Sequence, residues 1–466
     1  MTGDRYRESL DDGREVWLSG EKVKNVADHP AFAGTVNEFA RLYDWAHDCD
    51  GTTFEQDGKK ISWSYQLPRN EADLRAKARN SRLWMRESWG QLGRSPDFMA
   101  NVTVGLHDFA PELGRFGDNA VAYHRFAAEN DLALTHALGD PQIDRSRSPL
   151  DDPDLGLRIV RETDDGIVLR GAKQLATLAP FANEVLVYLS ASFALRGAEE
   201  FVVWFALPMN APGLKILCRE PLGDYAHGHS HPFARRFDEQ DAMLFFEDVV
   251  VPWERVFLMH DGPLALRGLG RINAWSVLSS VQRFQERITT LYGIAVRMAA
   301  SIGVDSFRGI QEDLGELAGY LELNRLATEG MLATGRVTPG GLYAPGDGTA
   351  LGIWEAQTSE RVVEVVRRIG ASGILMQPSE GDLDSQELRP FLDRYMKGKD
   401  IGVAEKSRLF RLAWDLVADG FGQRQELYEY LHRGDIGRNR TRLYHRVDRS
   451  DVDARLDALL SGPLTG

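Results

Sequence analysis

Gly93-Arg94-Ser95-Pro96-Asp97-Phe98 opens the stretch that organises this chain. Asp118-Asn119-Ala120, His136-Ala137-Leu138 and Pro141-Gln142-Ile143-Asp144-Arg145 follow it. Pro96 fixes its own φ and biases Ser95 toward extended backbone, so Arg94 is offered at a turn rather than on a solvated helix face. Leu132, Leu134 and Thr135 form a strand-like run that His136 would end at a pocket rim. A guanidinium and an imidazole held on separate elements can grip an anionic or phenolic oxygen and move a proton. Spacing alone leaves a second reading open: Arg94 pairs locally with Asp97, and His136 is a satisfied core histidine.

Working outward, residues 70–130 carry helical periodicity through Leu74, Ala78, Leu83, Trp84 and Phe109 to Phe126. From Leu132 to Val256 the period turns strand-like, with short apolar runs at 167–169, 185–188, 201–205 and 244–246 separated by glycine turns. From Ile272 onward it is helical again. At the N-terminus, Tyr6 to Phe32 reads as a helix end and two short strands, and Asp28-His29-Pro30 caps a helix through Asp48. The order α, β, α predicts segregated layers, an α+β fold, rather than alternating βαβ units. The expected divisions are an N-terminal helical domain (1–131), a central β domain (132–265), a C-terminal helical bundle (266–440) and a loose charged tail (441–466).

A chain of 466 residues with net charge −14 has room for two or three cores and repels nucleic acid and anionic membrane. No apolar run reaches the length of a membrane span, and Met1-Thr2-Gly3-Asp4-Arg5-Tyr6 leads into no secretory apolar segment. Cys49 and Cys218 give no disulfide framework, so a reducing cytoplasmic setting is expected. Gly420-Phe421-Gly422 approaches a dinucleotide fingerprint, but Gln425 stands at the third glycine, and a Walker A sequence is missing. Any reducing equivalents must therefore arrive on a carrier.

The Gly-Arg-Ser-Pro-Asp turn, the later His with Ile143-Asp144-Arg145, Gly171-Ala172-Lys173 with Thr177, and Gly420-Phe421-Gly422 through Glu429 together resemble the 4-hydroxyphenylacetate 3-monooxygenase family. These are oxygenase components of two-component flavin hydroxylases. The resemblance implies an acyl-CoA dehydrogenase-like fold: an N-terminal α domain, a central β-barrel-like domain and a four-helix bundle. It also implies a homotetramer, FAD taken up as FADH2 from a separate NAD(P)H:flavin reductase, O2 as co-substrate, and hydroxylation of a small electron-rich aromatic through a C4a-hydroperoxyflavin. Arg94 and His136 become the catalytic pair, with Phe98 and His227 also at the substrate. His136, Ala137, Leu138, Gln142, Ile143, Asp144, Arg145 and Thr177 would hold the flavin. Arg308 and Gln311 would reach it across a subunit interface, and Ser372, Gly422 and Arg424 would contact its pyrophosphate or adenosine. Helix caps, an ordinary glycine turn and solvated charges are the structural alternatives for these last positions.

Phe98 departs from the family, which usually carries Tyr there, so the substrate's identity stays open. His227, His229 and His231 alternate, but Gly228 and Pro232 argue for a loop with no carboxylate or cysteine beside it, and no metal site is expected. The rival readings are an acyl-CoA dehydrogenase-like flavoenzyme acting on a thioester and a flavin-free scaffold. Two cysteines cannot supply the iron–sulfur cluster that a related dehydratase requires.

Overall fold

The computed structural model describes residues 1–144, 146–188, 197–223 and 228–462. The N-terminal part contains α1 (Gly3–Glu8), β1 (Glu15–Leu18), β2 (Glu21–Val23), α2 (Pro30–Asp48), the hairpin β3 (Thr53–Gln56) and β4 (Lys59–Ser62), α3 (Glu71–Glu87), α4 (Pro96–Phe109) and α5 (Gly117–Asn130). Local chemistry starts two of these helices in the same way. His29 accepts the Ala31 N–H at 3.2 Å before Pro30, and Ser95 accepts the Phe98 N–H at 3.4 Å before Pro96. A cap that satisfies a free N–H, followed by a proline needing none, sets where each helix begins. Ser95 has ψ 156°, the extended conformation expected before proline.

The strands β5 (Leu134–Ala137), β6 (Arg158–Glu162), β7 (Gly166–Thr177), β8 (Glu184–Val187), β9 (Val203–Pro208), β10 (Leu214–Cys218), β11 (Asp241–Pro252) and β12 (Val256–Met259) follow, with the short helix α6 (Ala234–Phe237) before β11. They form two open sheets, ordered β2-β1-β10-β11-β7-β6 and β12-β9-β8-β5. Among the described residues the barrel-like closure expected from the sequence does not occur. Edges remain at β2, β6, β12 and β5, and β1 from the N-terminal arm pairs parallel with β10 instead. Strand β11 alternates buried and exposed residues over much of its length, whereas every residue of β8 is buried, placing it between two packed layers. A bridge between Gly139 and Gln174 joins the end of β5 to β7.

The helical C-terminal part comprises α7 (Gly262–Ile272), α8 (Ser276–Ser301), α9 (Arg308–Ala333), α10 (Thr349–Leu375), α11 (Glu380–Asp384), α12 (Arg389–Tyr395), α13 (Val403–Val417) and α14 (Gly420–Leu431). The long helices α8, α9, α10 and α13 pack together, and the glycine- and proline-rich 338–346 segment joins α9 to α10 with a small hairpin, β13 (Arg336–Val337) and β14 (Tyr343–Ala344). Helix α8 also lies against α3, so the core runs on from the N-terminal helices through both sheets into the bundle. In the tail, α15 (Ile436–Arg446) and α16 (Ser450–Ser461) are helical, and neither buries a residue. None of the described helices is long and apolar enough to cross a membrane.

Candidate active site

The start of α4 and the third residue of β5 bring Arg94 and His136 together around Phe98. The Arg94 guanidinium lies over the Phe98 ring at 4.7 Å and near the Tyr428 ring at 5.6 Å. Its Nη1 donates to the Gly93 carbonyl and to the Tyr428 hydroxyl, each at 3.0 Å. Arg94 is 8% exposed, its Nε has no partner, and among the described residues no carboxylate forms an ion pair with it. A buried cation held only by neutral acceptors and aromatic faces keeps its charge available to a ligand. Gly93 is needed here, because a Cβ at that position would lie 2.6 Å from the Tyr428 ring.

His136 does not end its strand at a rim; it is buried within β5, at 6% exposure. Its ring meets Phe98 edge-on at 5.9 Å, and its Nδ1 lies 2.9 Å from the Tyr188 hydroxyl. Burial, reinforced by the Arg94 charge, pushes its pKa well below the ordinary imidazole value, so the ring is neutral near pH 7.

Asp97 is not the local partner of Arg94. Its carboxylate, wholly buried, accepts from Ser64 and Ser279 at 2.6 Å, Ser81 at 2.7 Å, Asn80 at 2.9 Å and Asn101 at 3.2 Å. It thereby ties α3, α4 and α8 together beneath the site. A second network fixes the other side. Buried Glu239 accepts the Arg94 backbone N–H at 2.5 Å and an Arg424 N–H at 3.2 Å. Arg424 also grips both oxygens of Asp241, at 2.6 and 2.9 Å, and Thr177 donates its hydroxyl to Asp241 at 2.6 Å. Burial alone would raise the Asp241 carboxyl, but Arg424, Arg219 and the Thr177 hydroxyl hold it well below the usual carboxylate range.

The remaining sequence-predicted residues scatter more widely. Ala137 ends β5 as a buried residue and Leu138 follows it half-buried; beyond them Gln142 and Asp144 are exposed and Ile143 is 59% exposed. Arg145 and His227 lie outside the described residues. Arg308 is exposed at the start of α9, pairing with Glu312 at 2.8 Å, and Gln311 donates to the Asp305 carbonyl at 3.2 Å. Ser372 is exposed just after Ala371, where non-helical backbone interrupts α10. Gly422 packs α14 onto α13, since a Cβ there would meet the Leu416 carbonyl at 2.5 Å. Carboxylates do lie beside the alternating histidines, against the sequence expectation: His231 Nδ1 is 2.9 Å from Asp419, and Asp415 is close by. Asp415 accepts the Phe233 and Ala234 N–H groups, which accounts for its burial.

The arrangement suits a flavin. Exposed Leu175 on β7 and half-buried Leu138 flank the Gly139–Gln174 bridge, which follows His136 along the chain by three residues, and Ile143 beyond it is also exposed. Tyr188, Asn273, Glu239 and Tyr428 were not singled out from the sequence. Only Tyr428 stood within a quoted motif, Gly420 through Glu429.

Two open sheets packed among helices make this a mixed α and β fold, matching the acyl-CoA dehydrogenase-like architecture in outline but without a closed barrel among the described residues. The solved 4-hydroxybutyryl-CoA dehydratase of N. maritimus shares it, with TM-score 0.87, 21% identity and coverage of 100% of this chain and 96% of that one. Family models described as 4-hydroxyphenylacetate 3-hydroxylase N terminal and C terminal match residues 2–258 and 271–461, and the chain belongs to that family. It is 35% identical, over 99% of its own length and 98% of the relative's, to the oxygenase component of 4-hydroxyphenylacetate 3-monooxygenase from Thermus thermophilus. A solved oxygenase component (HpaB) of that name, complexed with FAD and 4-hydroxyphenylacetate, matches with TM-score 0.94 and 35% identity over 99% of this chain and 98% of that one.

Proposed function

We propose that this chain is the oxygenase component of a two-component FADH2-dependent monooxygenase, hydroxylating a phenol or a similar electron-rich aromatic. The observation that carries the reading is the buried Arg94 guanidinium, unpaired with any described carboxylate, facing Phe98 beside a neutral His136. Arg94 donates to the phenolic oxygen and stabilises charge that develops there, which makes the ortho carbon more nucleophilic. His136 hydrogen-bonds the same oxygen, and the Phe98 ring forms an apolar wall that positions the aromatic ring and excludes water. When bound, FADH2 would supply the two electrons that activate O2, one atom of which enters the ring while the other leaves as water. His136, Ala137, Leu138, Gln142, Ile143, Asp144 and Thr177 would hold the flavin from the β5–β7 side. Arg308 and Gln311, at the start of α9, would serve a neighbouring subunit's site.

Phe98 retains the ring of the family's usual Tyr but brings no hydroxyl. The proposed substrate therefore needs no donor from that wall, and a halophenol or a larger aromatic fits as well as 4-hydroxyphenylacetate. Exposed apolar residues on α9, α14 and α15, among them Leu323, Leu326, Leu427, Tyr430 and Tyr444, support a homo-oligomer. A tetramer is expected by light scattering, and a monomer at micromolar concentration would contradict it. A cytoplasmic location is part of the same reading, supported by two cysteines, Cys49 and Cys218, that are both free thiols.

Without a nicotinamide fingerprint the chain should not oxidise NAD(P)H by itself. Mixed with FAD, NADH, O2 and a phenol, it is expected to leave NADH untouched until a flavin reductase is added. Steady NADH consumption without the reductase would overturn the two-component reading.

A further inference from the structure

The hydrogen bonds behind His136 fix which of its ring nitrogens carries the proton. Asn273 Nδ2 donates to the Leu269 carbonyl at 2.8 Å, so its Oδ1 faces the Tyr188 hydroxyl, 3.1 Å away. An amide oxygen can only accept, and Tyr188 has one hydrogen, which goes to Asn273. Toward His136 Nδ1, 2.9 Å distant, the same hydroxyl must then accept. Nδ1 therefore bears the hydrogen, and Nε2 presents a bare lone pair. Among the described residues Nε2 has no hydrogen-bond partner. Burial and the Arg94 charge keep the ring from taking a second proton, and burial raises the Tyr188 pKa, so the hydroxyl stays protonated.

We infer that Tyr188 and Asn273 are positioning residues that lock His136 in its Nδ1–H tautomer, so that the site admits the phenol in its neutral form, with the phenol O–H donating to Nε2. This rests on the phenol-binding reading above. A phenolate would meet a lone pair at Nε2, whereas a neutral phenol can donate to Nε2 and accept from Arg94 at the same time. The charged or titratable groups facing His136 among the described residues are Arg94, from the start of α4, and Tyr188, just after β8; Phe98 and Asn273 do not titrate.

Removing either member of the relay should reverse the preference. In Tyr188→Phe nothing accepts from Nδ1, and the proton is free to move to Nε2, from which it can donate to a phenolate. In Asn273→Leu the Tyr188 hydrogen turns toward Nδ1 and forces the proton onto Nε2. The probe is 4-nitrophenol, whose phenolate is coloured, titrated against pH on the full-length protein with FADH2 under argon. Both variants should shift the bound chromophore's transition to lower pH by about one unit, tenfold more phenolate at a given pH. A transition left at the wild-type pH, or moved upward, in both variants would overturn the relay. Failure of the wild type to bind 4-nitrophenol at all would instead sink the phenol-site reading, so the two failures can be told apart.

Discussion

Arg94→Ala is expected to lower product formation roughly ten- to a hundredfold while leaving the protein folded. Hydrogen bonds to charged groups are worth about 1.5–3 kcal/mol, and about 1.4 kcal/mol is a factor of ten. The fold should survive because the guanidinium has no described carboxylate partner, so its removal strands no buried charge. The Glu239 contact survives too, since Glu239 holds the Arg94 backbone N–H rather than its side chain. What is lost is the donor to the phenolic oxygen and the cation over Phe98. Flavin oxidation should continue and release hydrogen peroxide in place of product. His136 should also become easier to protonate, because Arg94 is one of the two causes that depress its pKa. Product per FADH2 and peroxide, measured together, check this; unchanged product yield would place the substrate elsewhere.

Asp97→Ala should act on the fold instead, destabilising it by about 3 kcal/mol or more. Five side-chain donors from the segment before α3, from α3, from α4 and from α8 converge on this one buried carboxylate. Alanine fills none of that space and removes the charged acceptor on which all five donors converge, leaving them only the neutral hydroxyls among themselves. The cost reaches Lys77, a wholly buried ammonium whose pKa burial drives down to about 7 while Asp97 opposes the shift. Asp97→Asn keeps the shape and one acceptor oxygen, so it should lose less. Denaturant unfolding of the purified proteins decides the matter, and a loss for Asp97→Ala below about 1 kcal/mol would mean the network relaxes onto other acceptors.

The contrast between these residues shows what the sequence could convey. The turn that presents Arg94 was legible because its causes are adjacent: Ser95 caps and Pro96 starts the helix. The partners of His136 were not, because Tyr188 lies 52 residues away and Asn273 a further 85, with no local pattern marking either. Period-two alternation located the strands but could not say which edges meet. An expected barrel became two open sheets because β1, from the N-terminal arm, pairs with β10. The short hairpin β3–β4 was missed, being exposed over most of its length with little alternation. His231 shows the same limit, since Asp415 and Asp419 approach it from the far end of the chain. The ion pairs of Arg424 were hidden for the same reason, because its partners Glu239 and Asp241 are nearly two hundred residues upstream.

The central claim is that Arg94, Phe98 and His136 hold a phenolic oxygen where oxygen transfer can reach the ring. It is tested most directly by a single turnover: protein and a phenol mixed anaerobically with chemically reduced FAD, then with O2, in the absence of any nicotinamide. The account predicts one hydroxylated product for most of the FADH2 consumed, at the carbon ortho to the phenolic oxygen. Complete reoxidation of the flavin with peroxide as the only product, across hydroxyphenylacetate, halophenols and bulkier aromatics, would contradict it.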